Sequence, residues 1–341
     1  MLAPLKLRRA TKLIEIAGDE SGSDGENLAD ATHRFFTYGT NCLSTADAVD
    51  LVRGIRVSIG SSLKDIEDAR ELKAGPLIAK HPEVVAQVLR DSPLVSQSSI
   101  YVADKWFFLA GKMVSLVIEE QAADMGIPIA AIERRLAVDL MDEVAPSIGE
   151  QLWGELMTTF NQVVRFYHPA SGVSTSAVPF LRTLNQVRRS WNGKSPVVDF
   201  MWKARLQILQ YVQEYSAPIV RYLEPMVPTL LAVSGEWSDR FPGSRVGLVA
   251  DEQGALTPES RALLVAAAPV MKSRLVTVTT RKSHTDARIQ VADLLAGSGR
   301  HAAQTLQDGR TDRLTEAVIP LLDRNGMWSD RSPLETALST R

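Results

Sequence analysis

Acidic side chains in this sequence follow directly on apolar runs, where a fold would present them at the ends of strands. Asp19 and Glu20 come after the run 13–17, and Asp251 comes after the run 246–250. A carboxylate at the exit of a strand is held by the sheet while its oxygens face a crevice, as the ligands of a divalent cation must. The structural alternatives are an acidic turn after the first run and the start of a helix after the second.

A second group of polar residues shares one face of a helix predicted over 286–306. Offsets of four, seven and eleven residues define one stripe, which Arg300 continues a turn later: Asp286, Gln290, Asp293 and Gly297. The flanking positions are apolar, so this helix should be buried, and a buried carboxylate must be paired, hydrogen-bonded or bound to a metal. We favour a metal over the alternative, a buried Asp–Arg pair with close helix packing at Gly297.

Two shorter motifs carry little weight by themselves. In Glu71-Leu72-Lys73 the alternation can direct Glu71 and Lys73 to one face of a strand, and Asp104-Lys105 stands at another predicted strand end. The histidines lack the spacing of a zinc site, and Cys42 has no second cysteine beside it. Carboxylates suit hard cations better than softer ones, so the expected cofactor is Mg²⁺ or Mn²⁺.

Basic residues are concentrated in the helical middle of the chain. They are interleaved with Trp191 and Trp202 and comprise Arg182, Arg188, Arg189, Lys194, Lys203 and Arg205. Such a mix can bind the phosphates and stack on the bases of a nucleic acid. We favour a solvated helical face with tryptophans in the core, and nucleic-acid binding by Arg182, Arg188, Arg189 and Lys194 is the alternative.

The composition limits the class of protein. The chain has 341 residues, a formal net charge of −2 and one cysteine. This charge gives no overall attraction to nucleic acid or membranes, so a polyanion must be met by a local basic patch. One cysteine cannot form an intrachain disulfide, and we find neither a signal peptide nor an apolar run of the roughly 20 residues that span a membrane. We therefore expect a cytoplasmic protein without a membrane partner.

Strand-like segments at both ends flank the helical middle. Strands are predicted at 13–17, 33–40 and 100–103, with a short ambiguous segment at 69–73, and again at 246–250 and 275–279. The simplest architecture is one α/β domain whose helical insertion leaves after a fourth strand and returns before a fifth. The predicted parts are the N-terminal part of the core at 1–105, the helical insertion at 106–238, the C-terminal part of the core at 239–310 and a tail with a short helix at 311–341.

Taken in order, these motifs resemble those of the prokaryotic domain-of-unknown-function family 3800, which is regarded as ribonuclease H-like. The specific parts are Asp19-Glu20-Ser21-Gly22 and the segment IQVADLLAG at 289–297, and the resemblance covers approximately half of the chain. It implies a ribonuclease H-like mixed central sheet with flanking helices, on which acidic residues converge on a divalent metal. By this resemblance the metal ligands and catalytic residues are Asp19, Glu71, Asp251 and Asp293, with Lys73, Lys105 and Gln290 close by. The motifs described above add Glu20, Asp286 and Arg300 as supporting residues.

The sequence departs from the family pattern at two places. Gly18 stands where the family usually has a bulky strand residue, and Ser283-His284-Thr285-Asp286 replaces a more usual Ser-Lys-Lys-Ser-like run, which leaves a ligand role for Asp286 open.

The leading hypothesis is a metal-dependent nuclease or related phosphodiesterase that acts on DNA or RNA. The alternatives are an inactive nucleic-acid- or protein-binding module of the same fold and a phosphohydrolase of small nucleotides. The helical insertion can select the substrate or form a homodimer.

Overall fold

A computed structural model describes residues 12–29, 32–60, 71–91, 93–165, 176–209 and 225–340. The strands are β1 (Leu13–Ser21), β2 (Phe35–Asn41), β3 (Ser98–Asp104), β4 (Arg245–Asp251) and β5 (Leu275–Arg281). The helices are α1 (Thr45–Ser58), α2 (Ala74–Lys80), α3 (Pro82–Asp91), α4 (Leu94–Gln97), α5 (Lys105–Asp124), α6 (Ile129–Asp139), α7 (Ala145–Ile148), α8 (Glu150–Val164), α9 (Val178–Ser190), α10 (Val197–Lys203), α11 (Met226–Arg240), α12 (Pro258–Ala267), α13 (Ala287–Gln307), α14 (Arg313–Val318) and α15 (Pro333–Ser339).

The strands form one mixed sheet in the order β3-β2-β1-β4-β5. Strands β1 and β4 run parallel, with Gly18 opposite Ala250, and β4 runs parallel to β5. The chain is therefore an α/β protein. Because β1 and β4 are parallel neighbours in this register, the residues after Gly18 and Ala250, which are Asp19 and Asp251, come to the same end of the sheet.

The chain divides into two compact units, each built from separate stretches of sequence. The first comprises residues up to 20, 38–101 and 226–298, and the second comprises 21–37, 102–225 and 299 onward. These limits differ from the predicted ones, because α11 belongs to the first unit and the C-terminal stretch belongs to the second.

In the first unit α13 packs closely on the sheet. Ala17 of β1, Val249 of β4 and Ile289 of α13 form one buried cluster. Gly39 of β2 permits the close approach, since a Cβ atom there would lie 2.4 Å from the carbonyl oxygen of Ala292. The Asn41 amide also donates a 2.9 Å hydrogen bond to the carbonyl oxygen of Arg288. The position of α13 on the sheet is thus fixed by backbone contacts as well as by apolar packing.

The second unit has its own helical core. Buried apolar side chains of α5, α6, α8, α9 and α10 form this core together with Leu28. Asn161 of α8 ties in the loop that carries Leu28, since its side chain accepts from the Leu28 N–H at 3.0 Å and donates to the Glu26 carbonyl at 2.9 Å. Between 106 and 238 the described elements are helical, as predicted.

Capping side chains begin two of the helices, and two local expectations need correction. Ser44 caps α1 and Thr257 caps α12, each through a side-chain oxygen that accepts a backbone N–H. Residues 71–73 of the ambiguous segment lead into α2 without joining the sheet, so three described strands precede the helical middle, while residues 69 and 70 lie outside the part of the chain that the structure describes. The stretch after 310, predicted as a tail with a short helix, is instead part of the second unit, where Met327 forms a β-bridge with Ala103.

Candidate functional site

Three aspartates of the first unit approach one another at the end of the sheet. Asp19 and Asp251 stand two residues beyond Ala17 and Val249, whose side chains pack against α13, so strand alternation places both aspartates on the α13 side. Asp293 lies one turn after Ile289 on α13 itself. The sequence prediction that β1, β4 and the last long helix bring their acids together is therefore consistent with the structure.

Backbone N–H groups hold each of these carboxylates. Oδ1 of Asp19 accepts from the Glu20 N–H at 2.8 Å, and Oδ1 of Asp251 accepts from the Ser283 N–H at 3.0 Å. Oδ2 of Asp293 accepts from the Ala74 N–H at 2.9 Å. Each of these contacts uses one carboxylate oxygen and leaves the second oxygen for another partner.

The acidic side chains are largely buried, and their negative charges repel one another. Burial, together with the charges of Glu20, Asp293 and Asp251, raises the pKa of Asp19 to about 9. Burial also raises the pKa values of Glu20 and Asp293. Without a cation, the group therefore retains a proton at neutral pH, which Asp19 and Glu20 share through a side-chain hydrogen bond.

Gln290 connects the segment before α2 to the loop before α13. Its Oε1 accepts from the Leu72 N–H and its Nε2 donates to the Ser283 carbonyl, both at 3.0 Å. A buried amide that satisfies two backbone groups at once fixes both segments. Gln290, predicted as a supporting residue, thus joins these two backbone segments beside the aspartates.

Glu71 and Lys73 form an ion pair beside the aspartates. The Lys73 ammonium lies 2.5 Å from Oε1 of Glu71, and the Ser283 hydroxyl donates to the same oxygen. Although burial acts in the opposite direction, these hydrogen bonds lower the pKa of Glu71. Burial likewise opposes, but does not outweigh, the carboxylates of Glu71, Asp293 and Asp19, which raise the pKa of Lys73. Lys73 is therefore a counter-ion at the edge of the acidic group.

Asp286, whose ligand role the sequence left open, is engaged elsewhere. Nε and Nη2 of Arg288 donate to its two oxygens at 3.0 and 2.7 Å, and Arg281 donates to it at 3.2 Å. The alternative of a buried Asp–Arg pair is thus realised at Asp286. Close helix packing is realised too, because a Cβ atom at Gly297 would lie 2.6 Å from that of Ala74.

The supporting residues Lys105 and Arg300 belong to the second unit. The Lys105 side chain is fully buried and pairs with Asp24. Nε of Arg300 donates to the Ser21 hydroxyl at 2.9 Å, and its Nη1 contacts Nδ1 of His33 at 3.1 Å. Among the residues described, both cations therefore have defined partners within that unit.

Sequence reasoning missed Tyr38. It is fully buried on β2, and its hydroxyl has no hydrogen-bond partner among the described residues. The ring covers Gly18, where a Cβ atom would lie 2.5 Å from Cε1 and 2.7 Å from the hydroxyl oxygen. Gly18 in place of a bulky strand residue is the signal that was available, since a glycine inside a strand indicates that another group approaches closely.

The basic residues of the middle segment lie on the second unit. Arg182, Arg188, Arg189 and Lys194 are exposed, and within the described part of the chain none of them forms an ion pair with a carboxylate. Trp202 is contacted by the guanidinium groups of Arg188 and Arg205, at 4.8 and 4.3 Å from the ring centroid. Trp191 and Trp202 also pack against the helical core, which is the arrangement that we favoured.

Comparison of the chain with protein-family models, curated proteins and solved structures found no match. In the portions that the structure describes, no group of three or more His, Cys, Asp or Glu side chains already has the arrangement of a metal site. No described helix has the length and apolar character that crossing a membrane requires.

Proposed function

We propose that this protein is a divalent-metal-dependent nuclease or related phosphodiesterase on a ribonuclease H-like core. The observation that carries the proposal is the convergence of Asp19, Asp251 and Asp293 from two strands and a helix, each bonded to a backbone N–H and, among the described residues, none in a salt bridge with a basic side chain. Their oxygen donors match the preference of Mg²⁺ and Mn²⁺. An ion bound there would activate water and stabilise the leaving oxygen of a phosphodiester.

The roles of the residues follow from their contacts. Asp19, Asp251 and Asp293 supply ligand oxygens, and the backbone N–H groups that they accept keep those oxygens in place. Glu71 is a further ligand that Lys73 holds until an ion competes for it. Gln290 keeps the Glu71 segment against α13 through the Leu72 N–H.

The direct test compares the parent with the double variant Asp19→Asn/Asp293→Asn. Mn²⁺ at about 100 times its Kd stabilises the state that binds it by about 2.7 kcal/mol, so it should raise the melting temperature of the parent but not that of the double variant. Cleavage of single- and double-stranded DNA and RNA should fall by at least about 10–100-fold in the double variant. Glu252→Gln is the matched control, since Glu252 is exposed beside Asp251.

Two outcomes would change this proposal. An equal response to Mn²⁺ in the parent and the double variant would show that the acids are structural. Metal binding by the parent without cleavage of any of the four substrates would support the binding module in place of the nuclease.

The exposed basic side chains favour that second candidate, a module that binds nucleic acid. Residues 178–209 carry six basic side chains against one acidic side chain, although the whole chain has a net charge of −2. Arg182 and Arg189 are seven residues apart on α9, so they share one helix face. Replacing both with Gln should weaken binding of any DNA or RNA alike and make it less dependent on salt, whereas Asp199→Asn should not weaken it.

A further inference from the structure

The acidic group has a second side, formed by Glu20 and Tyr38. Gly39 packs against α13, so its neighbour Tyr38 points to the opposite face of the sheet. Glu20 stands two residues after Gly18, whose Cα the Tyr38 ring covers, and it therefore lies on the same face as Tyr38. Asp19 and Glu20 thus leave the end of β1 toward opposite faces, and the Glu20 side chain is within hydrogen-bonding reach of both Asp19 and Gln253.

Two buried polar atoms on this side lack a partner. The hydroxyl oxygen of Tyr38 and Oε2 of Glu20 are inaccessible to solvent and form no hydrogen bond within the described residues. Tyr38 is close enough to Glu20, Asp19 and Asp251 to interact electrostatically with all three. A phenol hydroxyl is a donor and a carboxylate oxygen is an acceptor or a cation ligand, so an ion that carries water molecules meets the needs of both.

We infer that Glu20 supplies a ligand oxygen to a hydrated Mg²⁺ ion at the acidic group and that the Tyr38 hydroxyl donates a hydrogen bond to a water molecule of that ion. This inference rests on the proposed function for the ion itself. It adds two residues on the face opposite α13 and assigns Tyr38 a positioning role. Mg²⁺ retains several of its waters when it binds to proteins, so a donor beside the carboxylates would orient one of them.

Tyr38→Phe tests the inference because it removes the hydroxyl and keeps the ring over Gly18. Tyr101→Phe is the matched control, since Tyr101 is another buried tyrosine of the first unit. Mg²⁺ alone is titrated into each protein and followed by the near-ultraviolet difference spectrum of tyrosine and by the melting temperature. In the parent and in Tyr101→Phe, Mg²⁺ should produce a tyrosine difference signal, and in Tyr38→Phe that signal should be absent.

The affinities provide the second measurement. Loss of one hydrogen bond to a bound water should weaken Mg²⁺ binding by Tyr38→Phe by roughly 3- to 10-fold, whereas without Mg²⁺ this variant should melt above the parent because an unpaired buried hydroxyl is gone. Glu20→Gln should weaken binding more than Tyr38→Phe does, because it also removes a charged ligand.

The outcomes separate this inference from the proposed function. If Mg²⁺ binds to the parent and to Tyr38→Phe with the same affinity and the same tyrosine signal, the role of Tyr38 is refuted while the metal site stands. If the parent binds no Mg²⁺, both the proposed function and the inference are refuted. If Glu20→Gln binds as the parent does, Glu20 is not a ligand and the inference is again wrong.

Discussion

Asp19→Asn should stabilise the metal-free protein at neutral pH, although it removes an acidic residue from the candidate site. Burial and the neighbouring carboxylates raise the pKa of Asp19 to about 9. The folded chain therefore keeps a proton that the unfolded chain has released, and the free energy of unfolding falls as pH rises from about 4 to about 9. Asparagine has no proton to release, and its side-chain oxygen can still accept the Glu20 N–H.

The size of this gain follows from the interval between neutral pH and the ordinary aspartate pKa of 3.8. At pH 7 the interval is about three pH units of about 1.4 kcal/mol each, which sets a ceiling of about 4 kcal/mol. Because Asp19 and Glu20 share a hydrogen bond, Glu20 bears part of the free-energy cost of burying a negative charge once Asp19 is replaced. We therefore expect the free energy of unfolding to rise by about 2 kcal/mol. For a chain of this length, that gain raises the melting temperature by about 3 °C.

The assay is chemical denaturation in a chelator, repeated from about pH 4 to about pH 8, with the parent and Asp50→Asn as references. Asp50 is exposed on α1, so its replacement controls for the change of net charge. The stability difference between Asp19→Asn and the parent should vanish near pH 4 and grow toward pH 8. A difference that is constant with pH, or a variant less stable than the parent at pH 7, would refute the account of Asp19. Saturating Mn²⁺ should then favour the parent.

Two further predictions concern packing around the site. Gly18→Ala should destabilise the protein by about 1–3 kcal/mol, because the added methyl group collides with the Tyr38 ring, and a melting temperature equal to that of the parent would show that the ring can move aside. Arg288→Met should cost about 3–5 kcal/mol at neutral pH, because it removes the main partner of buried Asp286. Although burial acts in the opposite direction, the hydrogen bonds from Arg288 lower the pKa of Asp286. The stability that this ion pair contributes should therefore be lost as pH falls below about 4. Urea unfolding of the parent and of Arg288→Met across that pH range checks the prediction.

The elements that depend on local sequence could be predicted. The apolar runs of β1 and β4 and the helix near the C-terminus are visible in the sequence because burial sets their period. Ser44 and Thr257 are recognisable caps because each bonds to a backbone N–H only three residues away. The positions of Asp19, Asp251 and Asp293 followed from these elements, since each stands at the end of a strand or on the buried helix.

What could not be predicted depends on partners that are distant in sequence. Residues 71–73 look like a short strand, but Leu72 and Ala74 give their N–H groups to Gln290 and Asp293, more than 200 residues later. Nothing in the local pattern distinguishes those acceptors from a neighbouring strand. The burial of Tyr38 over Gly18 is a similar case, because it depends on which two strands become neighbours.

The contrast between two aspartates of the same chain argues against a purely structural acidic group. Buried Asp286 is neutralised by Arg288 and Arg281, and the hydrogen bonds from Arg288 lower its pKa against the effect of burial. Asp19 and Asp293 are also poorly solvated, but they are held by backbone N–H groups, and burial raises the pKa values of both. The fold thus fixes these acidic side chains without a salt bridge to a basic side chain among the described residues, at a cost in stability that amides would avoid. A cation-binding role gives this cost a function, because the charge that destabilises the metal-free protein is what a divalent ion requires.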